Sequence, residues 1–220
     1  MNLFDVVGPI MVGPSSSHTA GAVRIGNVSR KLLGEEVRKA EIGLHGSFLA
    51  TGSGHGTDRA LVAGLLGLAV DDDRIPRSFE LAAEHGMEFH FGPVDLGEDA
   101  NPNSARLLLT SKSGRELEIV GASVGGGRIM ITELDGLAAN FSGDYPTLIV
   151  HNEDQPGHVA EVTSMLQHKS VNIATMQLYR SGRGGHAVMV LECDQEIPTE
   201  AVHWLEHLEG VEKVTYYSLL

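Results

Sequence analysis

The ordering of short β-branched runs and helical periodicities in the C-terminal third constrains this chain more than any other feature. Thr147-Leu148-Ile149-Val150-His151 reads as a strand, and Asp154-Gln155-Pro156-Gly157 as a turn. Val159, Val162, Met165 and Leu166 then recur at the spacing of one apolar helix face. Val171 to Tyr179 reads as a second strand, Ser181-Gly182-Arg183-Gly184-Gly185 as a glycine-rich hairpin turn, and Ala187 to Cys193 as its partner strand. Pro198 opens a second helix that turns Ala201, Trp204, Leu205 and Leu208 inward, and Gly210 closes it. Val211 to Tyr217 is a last strand. The order is β-α-β-β-α-β, the split ferredoxin-like arrangement.

Upstream, Gly136 to Pro146 loses periodicity and carries Gly, Asn, Ser, Asp and Pro, so it reads as a linker. Before it, helical patterns are predicted over Ser17 to Leu33, Thr57 to Leu68 and Ser78 to His85. Strands are predicted over Val37 to Leu44, Met87 to Phe91, Ala105 to Thr110, Glu116 to Val120 and Arg128 to Leu134, with Lys112-Ser113-Gly114 as a hairpin turn. The fold class is therefore α+β: an N-terminal α/β domain over residues 1–143 with a mostly antiparallel sheet, and a βαββαβ domain over residues 147–220. No internal repeat relates the two.

Two stretches concentrate chemistry-bearing residues. In Gly8 to Gly21, the turn Gly13-Pro14 feeds Ser15, Ser16 and Ser17 into a helix start, followed by His18 and Thr19. Free N–H groups at a helix N-terminus attract an anion, serine and threonine hydroxyls can orient it, and a histidine titrates near neutrality. A plainly capped helix explains the serines equally well, although three hydroxyls and a histidine exceed what one cap needs. In His45 to Arg59, Gly46, Gly52, Gly54 and Gly56 surround His55 and precede Asp58. This stretch reads as a loop before a helix, and glycines there permit close backbone approach to a ligand. His55 and Asp58 could ligate a metal, but two groups make a weak site. A substrate-facing loop and a flexible connector both stay open. The stretch lacks the lysine of a phosphate loop.

Charge and cysteine usage remove several classes. The formal net charge of −13 repels phosphate backbones and anionic surfaces, so neither nucleic acid nor membrane is expected as a partner. The acidic run Asp71-Asp72-Asp73 reads as a solvated turn. Met1-Asn2-Leu3-Phe4-Asp5 lacks a signal-peptide pattern, and no apolar run reaches spanning length, so a cytoplasmic location is expected. The lone cysteine, Cys193, sits in an apolar strand-like run and reads as buried and structural. One thiol cannot hold an iron–sulfur cluster, and no metal is expected on this chain.

Gly8-Pro9 with Gly13-Pro14-Ser15-Ser16-Ser17-His18-Thr19-Ala20-Gly21-Ala22 resembles the N-terminal signature of bacterial iron–sulfur-dependent L-serine dehydratases. Leu44 to Ser47 with Thr51 to Leu61 resembles the second block of that family's beta domain, and Asn101-Pro102-Asn103-Ser104 and Ser123 to Gly127 fit later blocks. From Leu148 onward the chain resembles an ACT domain, a βαββαβ amino-acid sensor module. The resemblance covers nearly the whole chain and implies a beta subunit (L-serine ammonia-lyase, active with its alpha subunit). It also implies an N-terminal domain similar to the allosteric substrate-binding domain of phosphoglycerate dehydrogenase.

The implied reaction converts L-serine to pyruvate and ammonia, in amino-acid catabolism feeding gluconeogenesis. A [4Fe-4S] cluster held by the alpha subunit acts as Lewis acid on the substrate hydroxyl. His18 is the expected catalytic residue, with Ser15, Ser16, Ser17, Thr19, His55 and Asp58 holding substrate. A regulatory amino acid is expected at Asn152, Asp154, Gln155, Gly157, His158 and Val159, with Asn172 and Ile173, and self-association through the ACT domain. Two rival readings are a stand-alone amino-acid sensor without catalysis and a phosphate- or nucleotide-binding enzyme.

Overall fold

The structure is a computed structural model that describes residues 9–220. Met1 to Asp5, on which the signal-peptide reading rests, and Gly8 of the Gly8–Gly21 stretch lie outside the described residues. Two compact units meet between Gly136 and Leu137.

The first unit is a sheet with helices on one face. Its helices are α1 (Gly21–Leu33), α2 (Gly46–His55), α3 (Thr57–Leu65) and α4 (Ser78–Glu84). Its strands are β1 (Val37–Leu44), β2 (Glu88–Pro93), β3 (Ser104–Ser111), β4 (Glu116–Gly125) and β5 (Arg128–Leu134), in the spatial order β2-β1-β3-β4-β5. β1 and β2 pair in parallel, and the other neighbours pair antiparallel. Ile25, Leu32, Leu61 and Leu65 of α1 and α3 are fully buried, as are Leu107, Leu109, Leu117 and Ile119 of β3 and β4. Their burial drives this layer together. The two helices cross at contact distance because Gly26 and Gly64 carry no side chain. A Cβ on Gly64 would stand 2.1 Å from the Val23 carbonyl.

The predicted helices and strands of this unit form near their expected limits, except that β4 runs past the predicted Val120 to Gly125 and that one predicted loop is a helix. The stretch His45 to Arg59 is not a loop. Gly46 turns the chain with φ +54°, where a Cβ would stand 2.7 Å from the Pro102 backbone. The freed N–H groups of Ser47 and Phe48 then donate to the Pro102 carbonyl at 2.7 and 3.3 Å. This seats the start of α2, which runs to His55 before Gly56 (φ +72°) breaks into α3. Asn101-Pro102-Asn103-Ser104 is thus the seat of a helix.

The second unit opens on β6 (Leu137–Phe141), so the predicted linker contains a short strand. β7 (Thr147–Glu153), α5 (His158–His168), β8 (Ile173–Arg180), β9 (His186–Cys193), α6 (Thr199–Glu206) and β10 (Val211–Tyr217) follow, in the expected β-α-β-β-α-β order. The sheet order is β10-β7-β9-β8. Val162, Met165 and Leu166 of α5 and Ala201 and Leu205 of α6 pack on Leu148, Val150, Met189 and Leu191. Two expected core residues face water instead: Val159 is 39% and Trp204 49% exposed, each at the border of its helix's apolar stripe. Cys193 is buried among these residues. No helix of the described residues is long and apolar enough to cross a membrane.

Candidate active site

The helix beginning at Ser16 starts irregularly. Ser15 is extended (φ −139°), and its Oγ accepts the His18 N–H at 3.1 Å, as an N-cap does. Ser16–Ala20 then forms a π-helical turn, closed by the Gly21 N–H on the Ser16 carbonyl, before α1 continues. Such wide turns often occur at functional sites. Gly21 is required here because a Cβ would fall 2.2 Å from Ser123 Oγ of β4, a buried hydroxyl without a partner among the described residues. Gly13, with φ +125°, makes the matching room for Thr19.

The π turn aims His18 at one face of α2. Ser47, Thr51 and His55 are spaced four residues apart, so they share that face. His18 Nε2 lies 3.1 Å from Ser47 Oγ and 3.1 Å from Thr51 Oγ1, and Nδ1 lies 3.4 Å from Ser15 Oγ. The His55 ring meets it edge to face at 4.9 Å and Phe48 at 5.4 Å. Burial holds the His18 pKa below the ordinary histidine value, the charge of His55 lowers it further, and a hydrogen bond to the Ser47 backbone opposes both. Together these effects favour the neutral imidazole.

Beside this cluster is a cavity of about 250 Å³ lined by Gly13, Thr19, His55, Arg59, Ile75 and Pro76. Thr19 Oγ1 donates to the His55 carbonyl at 3.3 Å. The Arg59 guanidinium stacks 5.1 Å over the Phe79 ring and has no carboxylate partner among the described residues, which leaves its charge available to an anion.

Of the expected site residues, the structure brings Ser15, His18, Thr19 and His55 together. The Ser16 and Ser17 side chains share the π turn but hydrogen-bond no described residue. Asp58 does not join the cluster: its Oδ1 accepts the Arg59 N–H at 2.8 Å, as an acidic residue in a first helical turn does. Among the described residues no three His, Cys, Asp or Glu side chains gather to hold a metal. Ser47, Thr51 and Arg59 do not stand out in the sequence as site residues. The i, i+4 spacing of Ser47, Thr51 and His55 was the available signal, hidden by the glycines between them.

In the second unit, the expected regulatory residues divide. Asn152, Asp154, Gln155, Gly157, His158 and Val159 lie at the β7–α5 junction. Asp154 Oδ2 accepts the Gly184 N–H at 3.0 Å and Arg180 Nη1 at 3.3 Å, while Gln155 Nε2 donates to Glu153 Oε2 at 2.6 Å. Gly157 turns with φ +115° and His158 is buried. Asn152 Oδ1 is buried without a partner among the described residues. Asn172 and Ile173 lie at the other end of the sheet. Ile173 pairs with Cys193, whereas Asn152 pairs with Ala187, roughly 20 Å away at strand rise. Asn172 there binds Asp194 and Gln195.

Comparison with known proteins agrees with both units. Residues 2–133 match the family model described as serine dehydratase beta chain, and residues 146–202 match the ACT domain. The chain is 40% identical to the L-serine dehydratase beta chain of Peptoniphilus asaccharolyticus, covering 96% of this chain and 94% of that one. It is also 40% identical to the probable L-serine dehydratase beta chain of Bacillus subtilis (strain 168), covering 97% and 96%. D-3-phosphoglycerate dehydrogenase of Methanocaldococcus jannaschii is 29% identical over 51% of this chain and 22% of its own length. A π turn that presents Ser15 and His18 to α2, followed by an ACT unit, is thus found in a chain that belongs to the serine dehydratase beta chain family.

Proposed function

We propose that this chain is one of the two polypeptides of an L-serine dehydratase, which converts L-serine to pyruvate and ammonia. The observation that carries this reading is the convergence of Ser15, Ser47 and Thr51 on a half-buried, neutral His18. A depressed pKa keeps a base unprotonated at working pH, which proton abstraction next to a carboxylate requires.

His18 accepts or relays the substrate proton. The Ser16 and Ser17 hydroxyls hold the carboxylate at the helix start, while Ser15 caps the His18 N–H and Thr19 fixes the His55 carbonyl beside it. Arg59, which lines the same cavity, supplies the opposite charge. Asp58, committed to the Arg59 backbone, shapes the start of α3 rather than touching substrate.

The family's chemistry uses a [4Fe-4S] cluster, and this chain's residues do not fit one. Cys193 is its sole thiol, buried in the second unit's core, and burial pushes its pKa up to about 11, far from the thiolate a cluster needs. The cluster is therefore assigned to an alpha subunit, and the His18 cluster to the surface that meets it. The setting we propose is cytoplasmic amino-acid catabolism feeding gluconeogenesis.

The ACT unit is proposed to bind an amino acid at the β7–α5 junction, where Asn152 Oδ1, without a partner among the described residues, can take a donor. Asn172 and Ile173 reach that ligand from a second copy, because within one chain they lie at the opposite sheet end.

The test is His18→Ala in the complex reconstituted with the alpha subunit. General-base loss lowers kcat by about 10²- to 10⁴-fold. Unchanged kcat and KM would reject the assignment.

A further inference from the structure

The hydrogen bonds around His18 bear on a question that its position leaves open: which ring nitrogen takes the proton. Neutral imidazole has one N–H donor and one lone-pair acceptor, and their assignment follows from what each faces. Thr51 has one hydroxyl proton, and it is committed: Oγ1 donates to the Ser47 carbonyl at 2.9 Å, one turn back along α2. At 3.1 Å from His18 Nε2, that oxygen can therefore act only as an acceptor. A lone pair on Nε2 would face a lone pair on Thr51. A proton on Nε2 instead gives a donor shared between Thr51 Oγ1 and Ser47 Oγ, the latter also at 3.1 Å and itself 3.5 Å from Thr51 Oγ1, to which its own proton can turn.

The other side of the ring agrees. Ser15 Oγ accepts the His18 backbone N–H at 3.1 Å, which leaves its own proton free to point at Nδ1, 3.4 Å away. Nδ1 thus faces a donor and Nε2 faces acceptors. His55, edge to face at 4.9 Å, is the titratable group on the third side and shares neither hydrogen bond.

We propose that Thr51, with Ser47, is a positioning residue that locks neutral His18 as the Nε2–H tautomer, so that Nδ1, on the Ser15 side, is the atom that takes the proton. The inference deepens the dehydratase reading and rests on it for its catalytic meaning, but the tautomer belongs to this chain alone. Proton uptake at Nδ1 gives an imidazolium whose Nε2–H stays on Thr51 and Ser47, so the ring does not turn during the transfer. Substrate must then approach from Ser15.

The test has a spectroscopic and a kinetic arm. In the chain labelled with ¹⁵N in its histidine rings, neutral His18 is expected to show a pyrrole-type Nε2 and a pyridine-type Nδ1. The reverse pattern overturns the proposal. In Thr51→Val the Ser47 hydroxyl is freed to donate to Nε2, so a mixture of tautomers is expected, and Thr51→Ser restores the single form. In the complex, loss of one such hydrogen bond lowers kcat about fivefold with KM little changed, and Thr51→Ser recovers it. A Thr51→Val complex with wild-type kcat and an unmixed tautomer overturns the proposal. A wild-type complex that never turns over serine sinks the dehydratase reading instead, while the tautomer assignment stands or falls on the spectrum.

Discussion

The two candidate sites of this molecule are built on opposite plans. In the first unit, a π turn and the α2 face bring Ser15, Ser47, Thr51 and His55 to within hydrogen-bond or ring-contact distance of His18 inside one chain. In the second unit, Asn152 and Asn172 stand at opposite ends of one sheet. The first arrangement is preassembled, as chemistry needs, because a base misplaced by an ångström loses much of its effect. The second is divided, as a sensor's can be, because a ligand that joins two copies couples its binding to their association.

The comparison breaks most visibly if the scaffold of the first site is forced apart. Gly64→Ala places a methyl 2.1 Å from the Val23 carbonyl at the α1–α3 crossing. Overpacking of this kind should cost about 3 kcal/mol. Urea unfolding should show the first unit weakened and His18 reactivity lost, while amino-acid binding by the second unit persists.

Complementation sharpens the contrast next. Asn152→Ala and Asn172→Ala should each weaken amino-acid binding about tenfold, the cost of one hydrogen bond to a charged group. Mixing the two variants should rebuild one intact site per pair, because each supplies the asparagine that the other lacks. Calorimetry on the mixture reads this directly, and binding that fails to recover would place both residues at one site within a single copy.

Proton linkage gives a smaller effect. The folded-state pKa of His18 is lowered from 6.5 by burial first and by His55 second. Between that lowered value and 6.5 the unfolded chain binds more protons than the folded one, so stability rises with pH there. The contribution of neutral His18 is full above pH 6.5 and declines as pH falls through the window. Urea midpoints followed across that range should show the decline, and His18→Ala should flatten it. The acid limb of kcat/KM should likewise lie below pH 6.5.

The smallest effect is expected at Trp204. The apolar spacing of α6 marks it as core, yet it is 49% exposed, so Trp204→Ala should move stability by no more than about 0.5 kcal/mol. Thermal unfolding checks it.

Trp204 and Val159 show where the sequence is legible and where it stops. Alternation and β-branching mark Val37–Leu44, Arg128–Leu134 and Val211–Tyr217 with the limits the structure has. Helical spacing finds α5 and α6 but not the edge of their buried stripe, since one residue of rotation separates core from water. α2 is not legible at all from propensity. Three glycines within it argue against a helix, and the groups that seat it come from Pro102, far along the chain. β6 is concealed by its short length and by Asn140 at φ +34°. Ser15, His18 and Thr19 stand out because hydroxyls and a histidine crowd one helix start. Ser47 and Thr51 become visible only once α2 is known to be a helix, because the four-residue spacing then has meaning.

The His18 cluster is proposed as half of an active site completed by a second polypeptide. The direct measurement is pyruvate formation from L-serine by this chain purified anaerobically with iron and sulfide, alone and then with the alpha subunit. A colourless, inactive chain alone and a brown complex that consumes serine are expected. Turnover by the lone chain, or a brown complex without turnover that still binds an amino acid through its second unit, would contradict this proposal.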